Sequence, residues 1–146
     1  MAIRQAQLSD LEPLVILFEA YRSFYRKEPD PLGSKEFLQS RIKNEESIIY
    51  IAEEDQKLVG FTQLFPSFSS TRLTRMWILN DLYVDPNYRG QGISKQLIEK
   101  AKDLCRATDA CGLMLETEAN NTIGNNLYIR TGFELEKNNF YFWIND

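Results

Sequence analysis

The sequence predicts a domain of the α/β (α+β) class, with a mixed, mostly antiparallel sheet of about six to seven strands flanked by about four helices. Three observations lead to this prediction. Segments with a helical spacing of apolar residues alternate with short runs rich in Ile, Val, Tyr, Phe and Trp. Three such runs follow one another in the middle of the chain with only polar turns between them, which favours antiparallel pairing. A helix, strand, helix order follows, and 146 residues fit one domain over residues 1–146.

The composition is that of a globular protein and excludes several classes of function. A net charge of -4, spread over both halves, leaves no basic face, so we expect no nucleic-acid partner. Apolar runs stay well short of the roughly 20 residues that cross a bilayer, and the N-terminus lacks a signal peptide's apolar core. We therefore expect a cytoplasmic location and no membrane partner. Because the chain has no histidine, we expect neither a metal site nor imidazole catalysis, and we interpret Cys105 and Cys111 as reduced packing residues.

The first part of the chain predicts one strand and two helices. Residues 2–6 read as a short strand. Ser9 stands three residues before Glu12, which is the spacing of a capping box, and apolar residues at helical intervals follow up to a break before Pro29. Ser34 is then expected to cap a second, shorter helix.

Three strands follow, over residues 47–53, 57–65 and 74–84. They are rich in β-branched and aromatic residues. Residues 54–56 give the turn between the first two strands, which predicts that these strands pair antiparallel, and residues 66–71 are polar enough to be the loop before the third.

The last part of the chain predicts two helices and three strands. The first helix carries an apolar stripe that packs on the sheet, formed by Leu97, Ile98, Ala101, Leu104 and Cys105. A strand over residues 113–118, a helix over residues 122–130 that Gly132 ends, and a hairpin of residues 133–137 and 140–144 complete the order. The second hairpin strand is apolar on both faces, which predicts either a covered sheet or a homodimer contact.

The segment from Leu79 to Leu97 has the order that builds a phosphate cradle. A strand ends at Val84, glycines follow at Gly90 and Gly92, and a helix begins directly after them. Glycines allow the backbone to approach a ligand, and the free N–H groups of a first helical turn attract an anion. Arg89 would add a fixed positive charge. The alternative is a strand-turn-helix connection whose glycines only permit a tight bend.

Neither a Walker loop nor a Rossmann fingerprint fits this segment, because Ile93-Ser94-Lys95 follows the second glycine. The segment instead resembles the pyrophosphate loop of the GNAT superfamily of acyl-CoA-dependent N-acetyltransferases, Gln/Arg-x-x-Gly-x-Gly/Ala. Here it reads Arg89-x-x-Gly92-x-Ser94, with serine in place of the final small residue.

A second signature of the same superfamily, Asn-x-x-Ala-x-x-Leu-Tyr-x-x-x-Gly-Phe, is similar to residues 121–133. The matching residues are Asn121, Leu127, Tyr128, Gly132 and Phe133, and Gly124 replaces the alanine. The two signatures cover roughly a third of the chain, and the order of elements agrees over the rest. The resemblance implies a splayed sheet and acetyl-CoA as co-substrate.

The resemblance also implies which residues hold the cofactor and which act in catalysis. Tyr128 takes the role of general acid, and a phenol with a pKa of about 10 suits protonation of a leaving thiolate; the alternative is an aromatic that fills the gap between helix and sheet. Leu82 and Val84 would contact the pantetheine arm through their backbone, and Asn121 would bond the arm or the loop. The cofactor-binding residues expected are Leu82, Tyr83, Val84, Arg89, Gly90, Gln91, Gly92, Ile93, Ser94, Lys95 and Asn121.

At the amine end, Asp81 is the first candidate both for catalysis and for substrate binding, because a carboxylate inside an apolar strand needs a reason. It would hold the ammonium or relay its proton through water; the alternative is a structural aspartate paired with Arg75 or another cation. Tyr25 is a candidate wall of the acceptor pocket, together with Tyr21, Phe24 and Glu19, and core packing is the alternative for these aromatics. Weaker candidates are Asn80, Glu116 and Glu118.

The predicted function is transfer of the acetyl group of acetyl-CoA to the primary amine of a small molecule, such as a polyamine or an amino acid, by direct attack in a ternary complex. Neither cysteine is expected to act as a nucleophile. Three alternatives remain open: a CoA-binding or ligand-sensing module without turnover, a histone-type lysine acetyltransferase, and a domain that only binds other proteins.

Overall fold

The computed structural model describes residues 1–145 and contains five strands and four α-helices within that range. In chain order these are β1 (Ala2–Gln5), α1 (Leu11–Phe24), α2 (Pro31–Lys43), β2 (Ile48–Glu54), β3 (Lys57–Ser69), β4 (Thr74–Val84), α3 (Ile93–Ala107), β5 (Leu113–Met114) and α4 (Thr122–Arg130). Two one-turn 3-10 helices lie at Leu8–Asp10 and Pro86–Tyr88. Asp146 lies outside the described residues.

The chain divides into two compact units, Met1–Glu116 and Thr117–Asp146. The first holds the whole sheet with α1, α2 and α3, and the second holds α4 and the residues that follow it. The expectation of one domain over the whole chain stays a prediction.

The sheet has the order β1-β2-β3-β4-β5. All neighbouring strands are antiparallel except β4 and β5, which are parallel. Parallel neighbours need a crossover, and α3 supplies it between β4 and β5. The predicted fold class, a mixed and mostly antiparallel sheet with four helices, is confirmed.

Helices α1 and α3 pack on opposite faces of the sheet. The ring centroids of Phe61 in β3 and Phe18 in α1 lie 6.1 Å apart. The preceding residue, Gly60, faces the other way: a Cβ placed on it would lie 3.5 Å from Ile93 Cγ2 of α3. Successive residues of a strand point to opposite faces, so the two helices enclose the sheet.

Both faces of the sheet are held by buried apolar side chains. On the α1 and α2 side they include Leu14, Val15, Phe18, Leu38, Ile49, Ile51 and Phe61. On α3 they are Ile93, Leu97, Ile98, Ala101 and Cys105, which agrees with the predicted stripe except that Leu104 is only half-buried. Each fully buried large apolar side chain contributes about 1.5–3 kcal/mol to the stability of the fold, relative to the same side chain exposed. Strand β4 is therefore a fixed support for whatever binds along it.

Three local predictions in the first half are wrong in detail. Gln7 N donates to Asp10 Oδ2 at 2.8 Å, so the first turn is closed by this pair and not by a Ser9–Glu12 box. Helix α2 begins at Pro31 with Asp30 as its N-cap, where Asp30 Oδ1 accepts from Gly33 N at 3.0 Å. Proline at the first helical position favours this earlier start, and it leaves Ser34 buried inside the helix. Strand β3 continues to Ser69, because its pairing with β4 runs through residues predicted as loop.

The predictions for the last strands are also corrected. Strand β5 comprises only Leu113–Met114, since its pairing with β4 stops there. Residues 133–145 contain no strand, so the predicted hairpin is absent and the sheet has five strands instead of six to seven. Its apolar side chains are exposed: Leu135, Phe140, Tyr141, Phe142, Trp143 and Ile144. A hairpin needs a third strand or a packed face for stability, and the structure gives this segment neither.

Candidate active site

Strand β4 has an open edge over its C-terminal half. It pairs with β5 only at Trp77–Leu113 and Ile78–Met114, and with β3 as far as Val84. Asp85 N donates to Val59 O at 2.8 Å, and hydrogen-bonded pairs alternate along an antiparallel ladder. The main-chain groups of Leu82 and Val84 therefore point away from β3, toward the open edge. This edge offers N–H and C=O groups to an extended ligand.

A cleft of about 150 Å³ opens where β4 and β5 separate. A single bound water needs only about 10–15 Å³ by the same kind of measure, so the separation leaves room for a ligand arm. The splayed sheet that the resemblance implied is thus present. The cleft is lined by Ile78, Leu79, Asn80, Met114, Leu115 and Glu116.

The loop after β4 delivers the chain to α3 with two residues in the left-handed region. Gly90 has φ +78° and Gly92 has φ +80°, and a Cβ placed on either would meet no atom within 4 Å. Gly92 is the N-cap of α3, and no side chain caps this helix. The glycines are therefore required by backbone conformation, while the space beside them stays open to an anion at the helix N-terminus.

The remaining loop residues flank this opening. Gln91 and Lys95 are exposed, Ser94 is half-buried, and Ile93 is buried against the sheet. Arg89 Nε donates to Val84 O at 3.0 Å, and its guanidinium carbon lies 5.5 Å from the centre of the Tyr83 ring. Arg89 is thereby held between the end of β4 and the loop, and it already occupies one lone pair of the Val84 carbonyl.

Asp81 lies in the sheet interior with neutral hydrogen-bond donors. Its side chain is only 5% exposed; Gln63 Nε2 donates to its Oδ2 at 2.7 Å and Asn80 Nδ2 to its Oδ1 at 3.1 Å. Burial raises the pKa of this carboxyl, against hydrogen bonds from Gln63, Tyr21 and Asn80 that lower it. Within residues 1–145 Asp81 forms no ion pair with Arg75, whose guanidinium carbon lies 4.9 Å from the centre of the Phe68 ring.

Tyr21 is the aromatic that reaches the strand beside Asp81. Its hydroxyl donates to Asn80 O at 3.3 Å, and its ring contacts Phe61 and Tyr83 edge to face. Tyr25, the predicted pocket wall, contacts the Tyr21 ring at 5.3 Å between centroids and lies at the end of α1. Tyr21 is therefore the member of the aromatic group next to the carboxylate, and the role of Tyr25 as a pocket wall stays a prediction.

In the second unit, α4 has the bounds that the sequence predicted, and Asn121 caps it. Asn121 Oδ1 accepts from Gly124 N at 3.2 Å and its Nδ2 donates to Thr117 Oγ1 at 2.9 Å. A Cβ at position 124 would lie 2.5 Å from Asn121 Nδ2, so glycine in place of alanine leaves room for this cap. Asn121 has a helix-capping role here, and its predicted contact with the cofactor stays a prediction.

Tyr128 lies near the end of α4 and is half-buried. Its ring packs edge to face on Phe133, with the ring centroids 5.8 Å apart, and Phe133 N donates to its carbonyl at 2.9 Å. The residues that follow Gly132 thereby hold the ring from one side. This geometry orients the phenol ring.

Sequence reasoning missed three residues of the first unit that lie at this strand, and it named Tyr21 only as a candidate wall of the pocket. Gln63 bonds Asp81, Ser47 bonds Gln63, and Gly60 leaves room for the main chain of β4, since a Cβ there would lie 3.0 Å from the Tyr83 carbonyl oxygen. A glutamine between apolar residues of β3 was an available signal, but its partner could not be named without the register of the strands.

Two general features of the described residues bear on function. Among residues 1–145, no group of three or more His, Cys, Asp or Glu side chains is arranged to hold a metal ion. In the same range no helix is long and apolar enough to cross a membrane.

Comparisons with known proteins agree with the resemblance. A family model described as "Acetyltransferase (GNAT) family" matches residues 14–133. The chain is 42% identical over 145 residues to an uncharacterized N-acetyltransferase, YhfO, of Bacillus subtilis, covering 99% of this chain and 97% of that protein. It is 37% identical over 121 residues to a "probable acetyltransferase" of Haemophilus influenzae, covering 82% and 83% of the two chains.

A solved structure has the same fold over the whole chain. The crystal structure of a "probable acetyltransferase" superimposes with a TM-score of 0.94 at 39% sequence identity, and the match covers 100% of this chain and 99% of the other. The arrangement of β4, the loop and α3 therefore belongs to a fold in which acetyltransferases occur.

Proposed function

Because the chain belongs to the acetyltransferase (GNAT) family, we propose that it transfers the acetyl group of acetyl-CoA to the primary amine of a small molecule, by direct attack in a ternary complex. It is an acyltransferase of the N-acetyltransferase type. We propose three things beyond the family: a small-molecule acceptor, the use of acetyl-CoA by this chain, and the roles of its residues. The observation that carries it is a buried carboxylate, Asp81, on a strand whose neighbouring edge is open to a ligand.

The cofactor-binding role rests on the open edge of β4 and the loop after it. Leu82 and Val84 offer main-chain groups to the amides of a pantetheine arm. The uncapped N-terminus of α3 offers N–H groups to a diphosphate, and the space beside Gly90 and Gly92 is open. The residues proposed to hold the cofactor are Leu82, Tyr83, Val84, Arg89, Gly90, Gln91, Gly92, Ile93, Ser94, Lys95 and, through its side chain, Asn121.

Asp81 is proposed to take the proton of the acceptor ammonium, directly or through water. An alkyl ammonium with a pKa near 10.4 is neutral in about one molecule in a few thousand at pH 7, which costs roughly 4–5 kcal/mol without a base. A carboxyl whose pKa is raised by burial is a better base than an exposed one. The Tyr21 and Tyr25 rings would face the alkyl part of such an amine.

Tyr128 is proposed to protonate the sulfur that leaves. Acetyl-CoA supplies the activated acyl carbon: the amine nitrogen forms a bond to it, and the bond to sulfur breaks with its electron pair on sulfur. The phenol proton goes to that sulfur and is replaced from solvent. Asp81 passes the first proton of the ammonium to solvent, and the nitrogen loses a second proton to solvent once it carries the acetyl group. One proton is released for each acetyl group transferred to an amine that starts as the ammonium.

Thiol release from acetyl-CoA, measured with a panel of polyamines, amino acids, aminoglycosides and peptides, tests the acceptor class. Turnover with one or more of the small amines and none with lysine peptides supports the proposal. Turnover with peptides alone assigns a protein acceptor instead. Tight CoA binding, with no acceptor raising thiol release above the rate of acetyl-CoA hydrolysis, would favour a ligand sensor. If CoA did not raise the melting temperature at all, only a protein-binding role would remain.

We also propose that the chain forms a homodimer through residues 140–144. Four aromatic side chains of roughly 150–250 Å² each, exposed by 65% to 84%, place on the order of 600 Å² of apolar area in solvent. That reaches the upper end of about 300–600 Å² for the largest patch of a monomer. Doubled across a two-fold axis, on the order of 1,200 Å² is enough for a specific interface. A segment without a strand partner in the described chain pairs antiparallel with its own copy.

Sedimentation velocity tests the dimer with a matched control. Replacing Tyr141 and Trp143 by serine should turn a dimer into a monomer, while Leu73→Ser, at a residue 91% exposed in the turn between β3 and β4, should leave it unchanged. A monomeric wild-type chain, or a dimer that survives the double substitution, would refute this contact.

A cytosolic location is proposed as well, on the ground that Cys105 and Cys111 are free thiols.

A further inference from the structure

Three buried polar side chains form a continuous row of hydrogen bonds in the first unit. Ser47 Oγ donates to Gln63 Oε1 at 2.8 Å, and Gln63 Nε2 donates to Asp81 Oδ2 at 2.7 Å. Gln63 is 0% exposed and Ser47 is 9% exposed. Both polar atoms of the Gln63 amide therefore have a partner, one on each side.

The amide of Gln63 is not required by packing. Phe61, two residues before it, and Leu64, directly after it, are fully buried and apolar, and a methionine would fill a similar volume. An amide buried without its hydrogen bonds costs roughly 1–3 kcal/mol, so it is retained only where its partners need it. The partner that needs it is the Asp81 carboxylate.

The Asp81 carboxylate decides which end of the amide faces it. If the amide were turned round, Gln63 Oε1 would meet the carboxylate oxygen, and two acceptors would face each other. The Ser47 hydroxyl, which can donate or accept, donates to Oε1 in the observed orientation and so satisfies the far end of the amide. The amide N–H is thereby aimed at Asp81 before any substrate arrives.

An irregularity in the sheet brings the glutamine and the carboxylate opposite each other. Gln63 pairs with Asp81 and Leu64 pairs with Leu79, so Asn80 is an extra residue in β4. Such a bulge re-aims the side chains beside it and is frequent next to active sites. Here it places an exposed amide, Asn80, between the cleft and the buried carboxylate.

We infer that Gln63, with its amide oxygen bonded by Ser47, is a positioning residue that holds the Asp81 carboxylate ionised and fixed for receiving the acceptor's proton. The inference rests on the proposed function for what the carboxylate does, and on the hydrogen bonds alone for how it is held. A carboxylate that accepts from a neutral amide stays available as a base, whereas one paired with a cation would not.

The groups that face Asp81 come from three elements. Helix α1 contributes the Tyr21 hydroxyl, β3 contributes Gln63 and Thr62, and β4 contributes Asn80. Tyr21 is the titratable member of this set. Thr62 Oγ1 donates to the main-chain carbonyl of Asp81 at 2.7 Å and does not touch the carboxylate. Thr62 is therefore the matched control: it is fully buried and adjacent to Gln63, and it bonds the same residue at another atom.

The experiment compares Gln63→Met, Ser47→Ala and Thr62→Val in two readouts. The first is titration of the Asp81 carboxyl by carbon-13 NMR, which needs no turnover. The second is the acid limb of the pH profile of kcat/KM. Gln63→Met removes a donor to the charged form, so both readouts should move about one pH unit higher. Ser47→Ala should move them less in the same direction, and Thr62→Val should lower thermal stability without moving either.

The outcomes separate this inference from the proposed function. An unmoved carboxyl titration in Gln63→Met, or an equal shift in Thr62→Val, overturns the positioning role. If Gln63→Met does not fold, the milder Ser47→Ala decides by the same comparison with Thr62→Val. A shifted titration in a protein that acetylates no amine leaves the positioning of Asp81 in place and refutes the proposed function alone.

Discussion

Gln63 and Asp81 face each other across β3 and β4, with 2.7 Å between Nε2 and Oδ2. A buried carboxylate is ordinarily paired with a cation or kept neutral by its surroundings. Asp81 is instead held by amides, and burial raises the pKa of its carboxyl. The protein thus keeps a group that costs stability when it ionises, at a strand with an open edge.

Asp81→Asn should therefore raise stability and lower activity. The pKa of Asp81 is higher in the folded state than in the unfolded state, so ionisation costs more in the folded state. The contribution of Asp81 to the free energy of unfolding therefore falls as the pH rises from its pKa in the unfolded state through its pKa in the folded state. Asparagine does not titrate, so the gain in Tm over wild type should grow over that pH range and vanish at lower pH.

The same substitution should lower kcat/KM by about 10²-fold or more and raise the apparent pH optimum, since the amine must then lose its proton unaided. Asp55→Asn, in the exposed turn between β2 and β3, is the control. A wild-type pH profile in Asp81→Asn would remove this residue from the mechanism.

Tyr128→Phe should lower kcat by about 10² to 10⁴ with little change in CoA affinity. The ring contact with Phe133 remains in this variant. Tyr141→Phe, at an exposed tyrosine of the same unit, is the control and should retain full turnover. Steady-state kinetics with the best amine of the panel measures the effect, and undiminished turnover would return Tyr128 to a packing role.

Features that depend on neighbours along the chain could be predicted from the sequence. The loop glycines, the α3 stripe and the bounds of α4 are specified within a few residues, by positive φ, helical period and capping. The role of Gln63 could not be, because its partner lies 18 residues away and is set by the register of the sheet.

Tyr21 and the C-terminal segment are two further places where the sequence alone did not predict the structure. The spacing of Tyr21 along α1 predicts a core position, and only the packing of α1 on β3 and β4 brings its hydroxyl to the strand beside Asp81. The run of aromatic and β-branched residues at 140–144 predicts a strand, but a strand needs a partner, and within residues 1–145 the structure gives it none.

Gly92→Val should weaken CoA binding by at least about tenfold. Gly92 has φ +80°, which a β-branched residue adopts only under strain of roughly 1–2 kcal/mol, and the side chain would enter the space beside the helix N-terminus. Isothermal titration calorimetry with CoA measures the loss. Gly112→Val is the control, because a Cβ there also meets open space but lies away from the loop. Equal affinity in Gly92→Val and wild type would show that the diphosphate binds elsewhere.

Gly60→Ala should weaken CoA binding without altering any residue of the loop. A Cβ at this position would lie 3.0 Å from the Tyr83 carbonyl oxygen and 3.3 Å from Val84 Cγ2, so the end of β4 must move, whereas Ile93 Cγ2 of α3, at 3.5 Å, stays in ordinary contact. Overpacking of this kind costs about 1–3 kcal/mol of stability. Val59→Ala, at the neighbouring fully buried position, is the control, since it lowers stability by leaving a cavity and does not push on β4. Calorimetry below the Tm of both variants should give reduced CoA affinity for Gly60→Ala alone. The same affinity in both would mean that the end of β4 tolerates the displacement, and that the position of Tyr83 and Val84 does not set the geometry of the cofactor site.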